Sequence, residues 1–161
     1  MSWTYKSKKI GDISQFPANT YGFVYIVTHK PSGKAYIGKK VLYFTKKVKI
    51  GKKELAKLEG VVGRRPAYKL AVKESDWLNY YGSHKEIKQL LTENKQNEFQ
   101  RTILKCVPSK KLLTYFEVKY QMIYQVLEKP DDFFNDNVLG KFYSKDFDEI
   151  EFEDFLENEK Q

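Results

Sequence analysis

The sequence predicts an α+β domain: a small antiparallel sheet of three strands, flanked by helices, with a basic insertion after the second strand. Three observations predict it. Residues 22–28 (GFVYIVT) and 35–39 (AYIGK) are β-branched and aromatic runs, joined by the turn segment KPSGK at 30–34. They make an antiparallel hairpin with a loop of about five residues. Residues 99–107 (FQRTILKCV) suit a third strand, and residues 110–128 place Leu112, Leu113, Phe116, Tyr120, Ile123 and Leu127 at helical spacing.

The remaining segments are read in chain order. Residues 1–20 are polar and aperiodic and read as an arm, with Trp3 and Tyr5 available to dock on the body. Residues 39–73 hold twelve bases against Glu54 and Glu59, cut into short pieces by Gly51, Gly60, Gly63 and Pro66. A lysine-rich hairpin and a loop carrying a short helix at 52–59 both fit this block. Ser75 caps a short helix that Gly82 ends, and Ser83 opens another, with Glu86 completing a capping box. Ile87, Leu90 and Leu91 give that helix an apolar stripe. Pro108 and Ser109 start the long helix and Pro130 ends it. Residues 133–142 read as a loop. Phe147, Ile150, Phe152 and Phe155 give the tail a face able to lie on the body as a helix. The expected organisation is an arm (1–20), a domain (21–144) and an acidic tail (145–161).

Charge narrows the function. The chain of 161 residues carries 29 Lys and Arg against 21 Asp and Glu, a net of +8. Residues 145–161 hold eight acids and two lysines, which leaves the first 144 residues at +14. A body that basic calls for a polyanion partner. A lone Cys106 forbids an internal disulfide and a multi-cysteine zinc site, and fits a reducing cytosol. No apolar run approaches the roughly 20 residues of a membrane span. The first residues lack the apolar stretch of a secretory signal.

Phosphodiester cleavage needs a metal or cations on the phosphate, an activated water, and support for the leaving oxygen. Paired histidines are absent as a local motif, since His29 and His84 lie 55 positions apart. Glu117-Val118-Lys119 spells ExK, but on a helix and before the only Pro-Asp, Pro130-Asp131. No phosphate-binding glycine loop is present. What remains is a tyrosine hairpin. Tyr25 and Tyr36 lie eleven positions apart across a turn, so both phenols fall on one small sheet, and Gly38 removes a side chain beside Tyr36. The alternative is two ordinary strand tyrosines in an aromatic-rich chain.

The segment GFVYIVTHKPSGKAYIGKK resembles the GIY-YIG nuclease signature, with Phe23-Val24-Tyr25 and Tyr36-Ile37-Gly38 as its two halves. Tyr81-Gly82-Ser83, Ile87, Phe99–Leu104, Glu117 and Phe134-Asn135 follow in the family's order, so the resemblance covers about residues 21–142. It is strongest to small phage-type members, including free-standing homing endonucleases. The resemblance implies that Glu117 ligates one Mg²⁺ or Mn²⁺ ion, which holds the scissile phosphate and stabilises the leaving 3′ oxygen. It implies Tyr25 as general base or water-positioning group, with nearby cations lowering its pKa. Tyr36 is implied as a hydrogen-bond donor to phosphate or water. Asn135 is implied at the metal end of the site, with Asn137 as the competing alignment.

The family also places an Arg shortly after its second motif. Here that stretch offers Lys39, Lys40 and Lys46 and no Arg. Arg64 or Arg65 takes the role through the insertion, or Lys40 serves as a point charge without the bidentate fork. Lys39, Lys46, Lys47, Lys49, Lys52, Lys53 and Lys69 are the expected contacts to the DNA backbone. The expectation is a metal-dependent endonuclease acting on double-stranded DNA in the cytoplasm (the host's, for a phage protein), with no small-molecule cofactor and no membrane partner. The alternatives are a DNA-binding protein on a degenerate nuclease scaffold and a basic RNA-binding module. The tail is a candidate competitor for the basic cleft, or a solvated segment.

Overall fold

The expected hairpin of residues 22–28 and 35–39 forms, and it lies at one edge of the sheet. The computed structural model describes residues 2–57 and 68–154. Its strands are β1 (Trp3–Tyr5), β2 (Lys8–Ile10), β3 (Gly22–His29), β4 (Ala35–Val41), β5 (Tyr43–Lys49), β6 (Tyr68–Glu74), β7 (Phe99–Val107), β8 (Asn137–Val138) and β9 (Phe142–Tyr143). Its helices are α1 (Lys52–Ala56), α2 (Lys85–Thr92) and α3 (Lys110–Ile123). The chain forms two compact units. One is built from residues up to Leu42 and from Asp76 onward; the other spans Tyr43–Ser75.

In the first unit the sheet order is β2-β1-β7-β3-β4. β3 pairs antiparallel with both β4 and β7, and β1 pairs parallel with β7. Three strands were expected, and the sheet has five. The N-terminal segment read as an arm supplies β1 and β2, joined by a two-residue turn in which Lys6 and Ser7 both have positive φ. Such turns are usually signalled by Asn or Gly, so the sequence hides this one. Trp3 anchors the segment. It is fully buried, donates from Nε1 to the Trp77 carbonyl at 2.8 Å, and meets Phe23 and Tyr25 edge-on.

The sheet is covered on both faces. On one, Phe23, Tyr25 and Val27 pack with Trp3, Phe16, Trp77 and Ile87. On the other, Val24, Ile37 and Val107 pack with Leu113 of α3 and with Val126 and Leu127. The alternation of β3 residues between these cores explains why nearly the whole strand is apolar.

Three helix expectations are corrected. The helix expected at 75–82 is a single 3₁₀ turn at Trp77–Asn79. The carbonyls of Leu78 and Tyr80 accept instead from Arg101 Nη1, at 2.8 and 2.9 Å. The next helix is capped by His84 rather than Ser83, with His84 Nδ1 accepting the Glu86 N–H. α3 begins at the Ser109 cap as expected but stops at Ile123, not 128. Gln125 there adopts positive φ, and the Gln125 and Val126 N–H groups bond to the Met122 and Gln121 carbonyls, a Schellman closure without glycine.

The loop of 133–142 carries the small β8–β9 hairpin. The tail forms a 3₁₀ turn at Ser144–Phe147 and no longer helix among the described residues; Phe155 lies outside them. Asp154 pairs with Lys129 at 2.9 Å, and Gln125 Nε2 donates to the Glu153 carbonyl at 2.6 Å. In the second unit, both readings of the basic block hold together: β5 and β6 form an antiparallel ribbon, and α1 is the short helix.

Arg101 is buried between the Trp3 and Tyr81 rings, its guanidinium carbon 4.7 and 4.1 Å from their centroids. Burial holds its pKa below the usual arginine value, with the Tyr81 side chain opposing. It ties the 78–80 segment to β7. Arg101→Ala should lower stability by about 3 kcal/mol, since it removes charged donors and a stacked stem together. An unchanged denaturation midpoint would show that the segment is held by packing alone.

Candidate active site

The site begins at a free strand edge. β4 is the last strand of its sheet, so its outward backbone groups need partners from elsewhere. Residues 132–135 supply them. Ala35 N–H donates to the Asp132 carbonyl at 2.9 Å, and Phe134 N–H to the Ala35 carbonyl at 2.7 Å. Asn135 Oδ1 then accepts from Ile37 N–H at 3.0 Å, and its Nδ2 donates to the Ile37 carbonyl at 2.9 Å. The same carbonyl accepts from Gln121 Nε2 of α3, at 3.0 Å. Both amide side chains are buried. Glu117 lies one helical turn before Gln121, on the same face of α3. The Gln121 bond fixes the rotation of the helix and turns Glu117 toward β4.

A pocket of about 390 Å³ opens there, lined by Tyr36, Ser83, His84, Glu117, Asn135 and Asp136 among others. Tyr36 Oη lies 3.2 Å from Ser83 Oγ. His84 Nδ1 accepts a backbone N–H, so its neutral ring carries the proton on Nε2, which donates to Asp136 Oδ2 at 2.9 Å. That pair joins two walls of the pocket. The Glu117 side chain is 17% exposed, and its Oε1 lies 3.4 Å from Lys39 Nζ. Burial pushes its carboxyl above the usual range, while Lys39 pulls the other way. Lys39 Nζ also donates to Thr114 Oγ1 at 3.0 Å. A second cleft, about 250 Å³, is lined by Lys39, Lys40, Tyr80 and Lys110, with Tyr21, Val41, Leu113 and Thr114.

Tyr25 and Tyr36 share one face of the sheet, because Tyr25 pairs with Gly38 and Val27 with Tyr36. Their rings are 6.3 Å apart. A Cβ on Gly38 would come within 2.5 Å of Tyr25 Oη and 2.9 Å of the Tyr36 ring. The space that glycine leaves is thus taken by the Tyr25 hydroxyl rather than by an approaching ligand. Beside Tyr25 the pairing of β3 with β7 shifts by one residue, a bulge that bends the sheet at this point. Tyr25 is 1% exposed. Burial raises its pKa well above that of a free phenol, and Tyr80 and Tyr36 add to the effect. The expectation that nearby cations lower it is corrected. Lys40, the cation beside this cluster, pairs with Asp76 and lies 3.8 Å over the Tyr80 ring. Tyr36 is also raised by burial, with the Ser83 hydroxyl opposing.

Tyr36, Glu117 and Asn135 therefore line one pocket, with Tyr25 behind Gly38. Asn137 lines it too, its Oδ1 accepting from Gly140 N–H at 2.8 Å. Lys40 is absent from this lining, and Arg64 and Arg65 lie outside the described residues. Of the expected DNA-contacting lysines, Lys39 sits at Glu117. Lys46, Lys47, Lys49, Lys52, Lys53 and Lys69 belong to the second unit, where Lys69 is paired with Glu54. Gln121, Asp136 and Lys85 line the pocket without having been singled out. Gln121 had a visible signal: a polar residue four positions from Glu117, on a helix otherwise patterned for burial.

The first unit thus places two tyrosines and a half-buried helix glutamate at one edge of an α+β sheet. The family model described as "Putative endonuclease segE, GIY-YIG domain" matches residues 3–138, and the chain belongs to that GIY-YIG nuclease family. No curated protein and no solved structure matches it.

GIY-YIG nucleases generally use divalent metals, and the donor set bears on how one is held here. Among the described residues, no group of three or more His, Cys, Asp or Glu forms a metal cage. One half-buried carboxylate in a polar pocket is nevertheless what a hard cation needs when water and substrate phosphate complete its shell. The pocket can accommodate such an ion, and Glu117 is the half-buried carboxylate available to it.

Two predictions follow from this geometry. Gln121→Met should lower stability by about 1 kcal/mol, because Asn135 still satisfies the Ile37 carbonyl. Cleavage should fall tenfold or more, because Glu117 loses its fixed bearing. Equal activity would mean that α3 is oriented by its apolar contacts. Secondly, burial places both phenols above the ordinary value, so each is less ionised than a free tyrosine at any given pH. Phenolate absorbance followed through alkaline titration should show Tyr25→Phe removing no ionisation below pH about 10. A phenolate lost near neutrality in that variant would reverse the reading of Tyr25.

Proposed function

We propose that the protein is a metal-dependent endonuclease that hydrolyses phosphodiester bonds of double-stranded DNA. The observation that carries this reading is the meeting of Tyr36, Ser83, Glu117 and Asn135 around one pocket in a chain whose first 144 residues are strongly basic. Glu117 would hold one Mg²⁺ or Mn²⁺ ion, with Lys39 favouring the ionised form of its carboxylate. When bound, such an ion polarises the phosphate and stabilises the leaving 3′ oxygen.

The chain's own residues do the positioning. Tyr36 Oη and Ser83 Oγ form a hydroxyl pair at the pocket that orients a phosphate oxygen or the attacking water. Tyr25 keeps its proton and supports Tyr36 from behind. Asn135 acts through β4: its amide is spent on Ile37, so it positions Tyr36 rather than touching substrate. Lys39 is a point charge beside Glu117 and the cleft of Lys40 and Lys110, without the bidentate fork of an arginine. The His84–Asp136 pair holds the pocket walls at a fixed separation. A DNA substrate and a single free Cys106 fit action in the cytoplasm.

The test is supercoiled plasmid cleavage with Mg²⁺, with and without EDTA. The wild type should nick or cut only with metal. Glu117→Ala should lose about 10³-fold or more in rate while still binding DNA. Equal cutting by both proteins would sink the Glu117 assignment, and no cutting by a folded wild type would leave a binding protein on a nuclease scaffold.

A further inference from the structure

The second unit contains an antiparallel ribbon of seven residues in each strand, paired from Tyr43↔Glu74 to Lys49↔Tyr68. A lone two-stranded ribbon is marginal in water, and this one leaves almost every side chain exposed. Its two faces differ. On the face of Phe44, Lys46 and Val48, the Lys69 ammonium is bound by both Glu54 carboxylate oxygens of α1 at 2.7 Å, while Val48 is half-buried and Ile50, just beyond β5, is buried. The helix covers that face only at its Val48–Lys69 end, and Phe44 at the other end is 48% exposed.

The opposite face is open. There β6 presents Tyr68, Leu70 and Val72, exposed by 59, 66 and 64%. Beside them β5 presents Thr45, Lys47 and Lys49, through the pairs Thr45↔Val72, Lys47↔Leu70 and Lys49↔Tyr68. Among the described residues Lys47 and Lys49 have no ion-pair partner. An apolar row thus runs parallel to a cationic row along one surface.

Charge decides the occupant. The fourteen ribbon residues carry five lysines and one acid, Glu74. A second copy docked on this face would bring like charges together, and lysines along both strands also guard the edges against strand addition. Duplex DNA suits both rows. Its major groove, about 12 Å wide, admits a two-stranded ribbon, its phosphates take lysines, and its thymine methyls take apolar side chains. We infer that the β5–β6 ribbon lays this open face into the major groove, with Lys47 and Lys49 on phosphates and Leu70 and Val72 against base edges. The inference rests on the nuclease reading for its partner and adds to it an element that selects the cleavage sequence. Lysine contacts alone position a protein without reading bases.

The test uses the full chain in EDTA, on a short duplex and on a pool of randomised duplexes. Lys47→Gln/Lys49→Gln should weaken binding to all duplexes and reduce the salt slope by about two. Leu70→Thr/Val72→Thr keeps strand propensity. It should weaken binding about tenfold at unchanged salt slope and lose the base preference that the wild type selects from the pool. Wild-type affinity in either variant, or the same selected preference in the second, overturns the inference. Sedimentation in which Leu70→Thr/Val72→Thr dissolves a wild-type dimer would assign the face to a second copy and overturn it as well. A wild type that binds in EDTA and cuts plasmid when Mg²⁺ is added, with variants that bind equally, ends the ribbon inference alone; a wild type that neither binds in EDTA nor cuts with Mg²⁺ ends the nuclease reading.

Discussion

The backbone of Ile37 carries more of this structure than any other single point. It sits mid-strand on β4, at a sheet edge with no further strand beyond. A buried edge must satisfy its N–H and C=O groups or lose the desolvation energy of each. The chain meets this with two side-chain amides, Asn135 from the loop after α3 and Gln121 from α3 itself. Three segments distant in sequence are locked at one residue. Tyr36 precedes that residue on the strand, and Glu117 lies one turn from Gln121 on the helix. The site exists because an edge had to be closed.

The same logic explains the tyrosine pair. The glycine between the tyrosines in the strand register is not an opening for substrate. It is the seat of the Tyr25 hydroxyl. A buried phenol in such a seat is a rigid neutral support, and burial keeps it protonated. The polar groups that reach the pocket include those of Tyr36, Ser83 and Glu117. Two tyrosines with the same motif status thus differ in role because one faces a full core and the other a pocket.

Charge is divided between the units in a comparable way. In the first, Lys39 lies against Glu117 and Lys40 against Asp76. In the second, among the described residues, Lys47 and Lys49 have no ion-pair partner and lie beside exposed apolar side chains. The acidic tail, as far as Asp154, is held by Gln125 and Lys129 beyond the end of α3, and none of its residues lines the pocket of Glu117.

Much was legible in the amino-acid sequence. Alternating β-branched and aromatic runs with a Pro-Gly turn determine the hairpin, because their local preferences agree with their burial. The long helix shows its apolar spacing and its Ser109 cap, and the ordered motifs mark Tyr25, Tyr36, Glu117 and Asn135. Tertiary structure decided the rest. Trp3 and Ile10 make strands of a polar segment because they fill a core built from residues far along the chain. Arg101 takes the carbonyls that a helix at 75–82 would have used. Gln125 ends α3 through a backbone conformation that its side chain does not announce. Whether Asn135 would touch a metal or close an edge depended on where β4 lay in the sheet, and no local pattern records strand order.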